Sequence, residues 1–362
     1  MGIQEKIAEL EEEIRNTQYN KATEYHIGLL KAKIAKLRAQ LIAGSKKGGG
    51  GGGFDVRKSG DARAVLIGYP STGKSTLLTK VTKAKSKSAA YAFTTLDVVP
   101  GLIEYKGAKI QLLDLPGIIR GAARGAGRGK EVLAVARSAD LIVLFVDVFN
   151  PDVEGLKQEL YEVGIRLDRH APDVVIVGKE SGGLRINRTV PTPQLDDRMV
   201  ANILSVYGIH NADVTIRESI GQDELIDVVV GNRIYCNSLL VVNKVDLVNK
   251  KYLEELRHKI GPFLGMSAEK GIGIDEFNEM LYQRLELIRV YTRSRFEGTD
   301  YEEPLIIRSG STVEDVCNAI HRDLRKNFKY ALISGPSAKF KGQRVGLSHK
   351  LMDGDEIQIY AR

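Results

Sequence analysis

The stretch GYPSTGKST, residues 68–76, decides the fold of this chain. It satisfies the pattern G-x-x-x-x-G-K-[ST] in full, and it lies between an apolar run, AVLI, and an amphipathic segment, LLTKVTK. A strand, a glycine-rich loop and a helix in this order form a phosphate-binding loop, because the backbone N–H groups of the loop can surround phosphate oxygens. The sequence therefore predicts a nucleotide site at the end of a strand in an α/β domain.

The residues of this loop have separate expected roles. Lys74 is expected to reach the β- and γ-phosphates and to assist catalysis, Ser75 to bind Mg²⁺, and Thr76 to donate to the α-phosphate. The other residues expected to contact the nucleotide are Gly68, Tyr69, Pro70, Ser71, Thr72 and Gly73.

A second motif, DLPGIIRGAARGAGRGK, spans residues 114–130. Asp114 ends an apolar run, where a carboxylate can hold a magnesium-bound water, and the N–H of Gly117 can meet the γ-phosphate, which makes this glycine a catalytic candidate. The next residue is Ile118, where Ras-like GTPases place the glutamine that orients the attacking water, and an aliphatic side chain cannot do this. The group that positions the water is therefore unknown, and Arg120 and Arg124 are weak candidates.

The motifs NKVD, residues 243–246, and SAE, residues 267–269, predict the choice of base. Asp246 can accept hydrogen bonds from the N1–H and 2-amino groups of guanine, a donor pair that adenine lacks. Lys244 can lie over the base, and Asn243 can tie this loop to the phosphate loop. The N–H of Ala268 would meet the guanine O6, and the neighbouring side chains of the SAE motif are Ser267 and Glu269. This order of motifs favours GTP and GDP over adenine nucleotides.

The pattern of apolar residues predicts a doubly wound α/β core. Four continuous apolar runs, residues 64–68, 109–114, 141–147 and 238–244, are typical of parallel strands that are covered on both faces. The third and fourth runs lie too far apart for a single crossover helix. Residues 154–167 are therefore expected to form the crossover helix, and an inserted segment is expected to fill the rest of the interval.

The predicted domain boundaries follow from these patterns. They are a helical hairpin at 1–47, a glycine-rich linker at 48–60, a P-loop GTPase domain at 61–167 and 234–295, an inserted α+β subdomain at 168–233, and a β-grasp domain at 302–362. The insert is expected to contain three strands and one helix. The β-grasp domain is expected to contain a strand at 304–310, one helix at 311–327, and strands at 329–335, 343–351 and 355–362.

Composition narrows the class of partner. The formal net charge of +7 fits a polyanionic partner such as RNA without requiring one. Between Lys31 and Lys58 there are eight basic residues and one acidic residue, which indicates either a solvated helical face or a basic arm that contacts RNA or a protein. Two distant cysteines, a charged N-terminus and the lack of a long apolar run predict a cytoplasmic protein without a membrane anchor.

Taken together, these motifs resemble the Obg-type GTPases and, within them, the developmentally regulated GTP-binding (DRG) proteins. The resemblance rests on GYPSTGKSTLLTKVT, AFTTLDVVPG, DLPGII, NKVD and the early segment ATEYHIGLLKAKIAKLR, and it covers essentially the whole chain. It implies a C-terminal TGS domain, an insert similar to part of a ribosomal protein, and an association with ribosomes and translation. It also implies that Thr95 of FTTLD is a magnesium ligand.

This chain departs from the wider Obg pattern at two positions. Ser71 stands where relatives often have an asparagine that helps to bind potassium, so the resemblance leaves K⁺ an open possibility. Arg120 stands where relatives tend to have glutamate.

Two functional hypotheses follow from the sequence. The first is a Mg²⁺-dependent, GTP-hydrolysing switch with slow intrinsic turnover, helped by K⁺, by the ribosome or RNA, or by a regulatory protein partner. The alternative is an RNA- or ribosome-binding module that uses GTP as a structural ligand with negligible hydrolysis. A metabolic kinase is a distant third, because no acceptor-site motif accompanies the switch motifs.

Overall fold

The computed structural model describes residues 2–21, 23–43, 60–82, 99–115, 135–294 and 298–361, which form two compact units. One unit contains the described residues up to 43 together with residues 135–137 and Lys157–Cys236. The other contains residues 60–82, 99–115, 138–156 and 237–361. The predictions for the glycine run, Thr95, Gly117, Ile118, Arg120 and Arg124 lie outside the described residues.

A 3₁₀-helix lies at Val245–Leu247, and ten α-helices have both ends within the described ranges. They are α1 (Ile3–Asn16), α2 (Glu24–Ala43), α3 (Lys74–Val81), α4 (Val153–Val163), α5 (Asp197–Val206), α6 (Gln222–Val230), α7 (Lys250–Ile260), α8 (Ile274–Arg284), α9 (Val313–Ile320) and α10 (Arg322–Lys326). None of them is both long and apolar enough to cross a membrane.

Sixteen strands complete the described structure. They are β1 (Ala62–Ile67), β2 (Val99–Tyr105), β3 (Ala108–Asp114), β4 (Leu141–Asp147), β5 (Ile165–Leu167), β6 (Val174–Gly178), β7 (Leu184–Arg188), β8 (Ala212–Ile216), β9 (Ile234–Asn243), β10 (Leu264–Gly265), β11 (Leu287–Ser294), β12 (Gly298–Thr299), β13 (Leu305–Arg308), β14 (Phe328–Ser334), β15 (Gln343–Val345) and β16 (Asp355–Ala361).

The sheet that carries the phosphate loop has the order β10-β9-β4-β1-β3-β2, and all neighbouring pairs are parallel except β2–β3. The four predicted strands are β1, β3, β4 and β9, and every residue of β1 and β4 is buried. The register places Leu66 opposite Asp114, and Asp147 opposite Asn243. The carboxyl ends of these strands therefore meet at one edge, where open α/β sheets bind ligands.

Sequence analysis did not identify β2, the antiparallel edge strand of this sheet. It joins β3 through Lys106 and Gly107, which both have positive φ angles, 49° and 82°. Two consecutive residues with positive φ form a type I′ turn, whose twist matches that of an antiparallel hairpin.

A second sheet in the same unit has the order β12-β11-β16-β14-β15, and β13 pairs with β11. This sheet begins at Leu287, earlier than the predicted strand at 304–310. Sequence analysis missed β11 because this strand follows α8 without a glycine or proline to mark the boundary. The predicted helix 311–327 is broken at His321, whose φ of −165° is extended, and this residue caps α10. The predicted strand 343–351 ends at Val345.

In the other unit, the helical hairpin and the inserted segment share one hydrophobic core. The strands pair in the order β6-β8-β7. The residues that pack together come from α2 (Ala32, Ala35), α5 (Met199, Ile203), β8 (Val214) and α6 (Leu225). Sequence analysis predicted the three strands and α5 but not α6. The N-terminal hairpin therefore depends on a segment that lies far away in the sequence.

Basic side chains of α2 also form ion pairs and hydrogen bonds with other residues of this unit. The Lys31 ammonium lies 3.0 Å from a carboxylate oxygen of Asp223, and Lys36 donates to the Val206 carbonyl at 2.7 Å. Arg38 pairs with Glu11 at 2.7 Å. These contacts give three residues of the predicted basic segment a structural role that neither sequence-based alternative included.

The predicted helix 154–167 ends at Val163. Gly164 has a φ of 100°, which a residue with a side chain rarely adopts, and the chain then enters β5. Arg166 on β5 is buried and binds Asp227 through two hydrogen bonds of 2.5 and 2.7 Å, and Arg233 donates to the same carboxylate at 2.7 Å. A buried charge network thus stabilises this part of the first unit.

Candidate functional site

The phosphate loop runs from the end of β1 to the first turn of α3, as the sequence predicts. Gly73 has a φ of 99°, and a Cβ atom at this position would collide with the side-chain amide of Asn243. A Cβ at Gly68 would collide with the carbonyl oxygen of Phe145 on β4. Both glycines are therefore required by the close approach of the loop to neighbouring strands.

Lys74 lies inside this loop. Its side chain is buried, and its Nζ donates to the carbonyl oxygens of Gly68 and Tyr69 at 3.0 and 2.8 Å. Burial lowers the pKa of Lys74, and the nearby carboxylate of Asp114 opposes this shift. The loop carbonyls thus hold the ammonium among the backbone groups that are predicted to contact phosphate.

Ser75 and Asp114 form the pair that sequence analysis assigned to magnesium. The Ser75 hydroxyl donates to Asp114 Oδ2 at 2.8 Å, and the buried Asp114 Oδ1 has no hydrogen-bond partner among the described residues. Burial raises the pKa of Asp114, while the bond from Ser75 and the charge of Lys74 oppose the shift.

These two side chains fit a magnesium ion. Mg²⁺ prefers oxygen ligands and usually keeps several waters, and the free Oδ1 is the kind of acceptor that such a water requires. The described residues contain no group of three or more His, Cys, Asp or Glu side chains that could hold a metal without further ligands. Nucleotide phosphates would have to complete the coordination.

Asn243 connects three loops of the site. Its side-chain amide donates to the Thr72 carbonyl at 2.8 Å, and its Oδ1 accepts the N–H of Ala268 at 2.9 Å. All three residues are buried. The phosphate loop, the NKVD motif and the SAE motif are therefore fixed to one another through a single side chain.

Lys244 also binds the phosphate loop, with help from a residue that sequence analysis did not identify. Its Nζ donates to the Ser71 carbonyl at 3.1 Å and lies 2.6 Å from Oδ2 of Asp147. Asp147 is the last residue of β4, and its register opposite Asn243 brings it to the site. The carboxylate at the end of the LIVLFVD run was a possible signal for this role.

Asp246 lies beside the SAE motif. Hydrogen bonds from Ser267 and then Lys270 lower the pKa of Asp246, and the Lys270 ammonium lies 3.0 Å from Oδ2 of Asp246. The carboxylate is therefore held in its ionised, acceptor-only form.

The structure thus brings together residues 68–76, Asp114, residues 243–246, Ser267 and Ala268 at one edge of the sheet. Tyr69 directs its hydroxyl to Asp152, at 3.2 Å. Pro70, Thr76 and Glu269 are exposed.

The fold and this site define a P-loop nucleotide-binding protein of the GTPase class, with a β-grasp sheet after the nucleotide-binding domain. Three family models match consecutive parts of the chain: "50S ribosome-binding GTPase" at residues 63–179, "C-terminal region of MMR_HSR1 domain" at 181–287, and "TGS domain" at 288–361. The predicted fold class is confirmed.

Full-length relatives then identify the family. An uncharacterized GTP-binding protein of Methanocaldococcus jannaschii is 54% identical over 99% of this chain and 93% of its own length. Developmentally-regulated GTP-binding protein 2 of Homo sapiens is 50% identical over 99% of both chains, and GTP-binding protein 1 of Schizosaccharomyces pombe is 49% identical over 100% of both. The chain belongs to the developmentally regulated GTP-binding protein family, as its resemblance predicted, and hence to the GTP-binding GTPases.

Proposed function

We propose that this protein is a Mg²⁺-dependent molecular switch that hydrolyses GTP slowly on its own and acts with the ribosome or RNA in the cytoplasm. The observation that supports this most is the linkage of the phosphate loop, NKVD and SAE through Asn243. Such a linkage lets one site read both the phosphates and the base of a guanine nucleotide.

The residues of the site have distinct proposed tasks. Lys74 and the loop N–H groups bind the β- and γ-phosphates, and Asp246 accepts the two guanine donors. Ser75, Thr95 and Asp114 hold Mg²⁺, partly through water, and Gly117 donates to the γ-phosphate. When bound, Mg²⁺ neutralises charge on the phosphates.

Slow hydrolysis follows from Ile118, which cannot orient a water molecule. A missing catalytic group can come from a monovalent cation such as K⁺, from the ribosome or a regulatory protein, or from Arg120 or Arg124. We favour a cation or a partner, because nothing in the glycine-rich sequence around these arginines fixes their position.

The test is multiple-turnover phosphate release with and without ribosomes, in K⁺ and in Na⁺, with Lys74→Ala as the inactive control. We expect slow release by the protein alone and acceleration by K⁺ or ribosomes. Fast release in Na⁺ without ribosomes would contradict slow intrinsic turnover. Fast release that disappears in Arg124→Ala would instead assign catalysis to that arginine.

Ile118 also supports the alternative function, an RNA- or ribosome-binding module that uses GTP as a structural ligand. Tight GTP binding with no phosphate release under any of these conditions would favour it over the switch.

Ribosome or RNA contact is supported by the description of the matched family model and by exposed basic residues near the C-terminus, among them Lys339, Lys341 and Arg344. Replacing these three with glutamate tests the contact without deleting a sheet that packs in the same unit as the GTPase core. A salt-sensitive loss of ribosome or RNA binding is expected. Unchanged binding would remove this surface from the proposal.

The cytoplasmic assignment is supported by the two cysteines. Cys236 and Cys317 are both buried and carry reduced thiols, which suits a reducing compartment.

A further inference from the structure

We propose that Asp147 is a positioning residue for guanine-nucleotide binding, which holds the Lys244 side chain in place between the phosphate loop and the base. This inference rests on the guanine site proposed above. It adds a residue that lies outside all the motifs from which that site was predicted.

The carboxylate of Asp147 is fixed in orientation by its own loop. The residue is 6% exposed, and its Oδ1 accepts the backbone N–H groups of Phe149 and Asn150 at 3.0 and 2.9 Å. A short side chain that accepts bonds from the residues two and three positions later stabilises a turn and cannot rotate freely. Oδ2 is therefore directed at a constant point.

That point is occupied by the Lys244 ammonium, 2.6 Å from Oδ2. The same ammonium donates to the Ser71 carbonyl at 3.1 Å, so it is held between the end of β4 and the phosphate loop. The backbone of Lys244 has a φ of 64°, an uncommon conformation for a residue with a side chain. Its side chain is 32% exposed, which leaves part of the aliphatic stem free to lie against a base.

The substitution Asp147→Asn separates this role from that of the turn. The single amide oxygen can still accept from the N–H groups of Phe149 and Asn150, so the turn remains. The amide nitrogen would then face the Lys244 ammonium, and two donors cannot bond to each other. Asp147→Asn thus removes the link to Lys244 while it preserves the loop.

The experiment measures dissociation of fluorescently labelled GDP from the full-length protein in the wild type, Asp147→Asn, Lys244→Ala and the double variant. Loss of a hydrogen bond between charged groups changes a binding constant by about tenfold or more, so each single variant should release GDP about tenfold faster. The double variant should release it no faster than Lys244→Ala, because Asp147 acts through that lysine.

The matched control is Asp152→Asn. Asp152 also caps a turn, with its Oδ1 accepting the N–H of Gly155 at 3.0 Å, and its Oδ2 lies near the phosphate loop, where it accepts from Tyr69. No contact links it to Lys244 among the described side chains. Its dissociation rate should stay near that of the wild type.

Two results would overturn the inference. One is an unchanged dissociation rate in Asp147→Asn. The other is an equal acceleration by Asp147→Asn in the Lys244→Ala background, which would show that the residue acts through its turn. Failure of the guanine site itself gives a different pattern, in which the wild type does not bind GDP or Asp246→Asn does not weaken GDP binding.

Discussion

Replacement of Asn243 by alanine should destabilise the nucleotide-binding domain before any nucleotide is added. The substitution removes two hydrogen bonds and leaves the Thr72 carbonyl and the Ala268 N–H buried without partners. An unsatisfied buried polar group costs about 1–3 kcal/mol, so the expected loss in the free energy of unfolding is about 2–6 kcal/mol. For a unit of this size, the smaller loss already lowers Tm by about 4 °C.

The assay is thermal unfolding of the nucleotide-free protein, followed by GDP dissociation at a temperature where both proteins are folded. Asn237→Ala is the control, because Asn237 lies on the same strand but is partly exposed and makes bonds of 3.4 Å. The Asn243 variant should unfold at a lower temperature and release GDP faster than the control. Equal Tm values for the two variants would refute the view that one side chain fixes the three loops.

Three further predictions concern charged groups. Asp227→Ala leaves the buried guanidinium groups of Arg166 and Arg233 without their carboxylate, so urea unfolding should show a loss of about 3–5 kcal/mol. Asp114→Asn should raise the Tm of the nucleotide-free protein at neutral pH, because burial raises the pKa of Asp114 and its ionisation lowers the stability of the folded state as pH rises through that pKa. The same substitution should weaken Mg²⁺-dependent GTP binding. Glu279→Gln should reduce the loss of stability on acidification. Hydrogen bonds lower the pKa of Glu279 to about 2, so the carboxylate stabilises the folded state above its ordinary pKa, and this contribution is lost as pH falls toward about 2.

Each of these predictions has its own control. Asp173 makes an exposed pair with Arg217, so Asp173→Ala should cost less than about 1 kcal/mol, and an equal cost for Asp227→Ala would contradict the buried network. A lower Tm for Asp114→Asn would show that the carboxylate is stabilising. For Glu279→Gln, unfolding is compared at about pH 5 and pH 3, and a difference between these pH values equal to that of the wild type would exclude the proposed linkage.

The sequence predicted those parts of the site that are encoded locally. The phosphate loop and NKVD each contain their chemistry within a few consecutive residues, so their positions follow from the strands before them. Asp147 could not be found in this way, because its role depends on the register that places β4 beside β9. Its contact with Lys244 spans nearly a hundred residues of chain.

The limits of prediction in the fold have similar causes. The strand β11 lacks the glycine or proline that marks a boundary, so it was not separated from α8. The core shared by α2 and α5 joins two helices that were each predicted, but the sequence of neither helix indicates which element packs against it. Periodicity predicts that one face of a helix is buried, whereas the tertiary structure determines which element covers that face.

The shared core of α2 and α5 has a consequence for the order in which the chain matures. About 150 residues separate the end of α2 from the start of α5, which corresponds to roughly 8–30 s of synthesis at about 5–20 residues per second. During this time α5 is not yet available to cover Ala32 and Ala35 of α2. These side chains of α2 therefore stay accessible to chaperones while β1–β4 of the nucleotide-binding domain are synthesised.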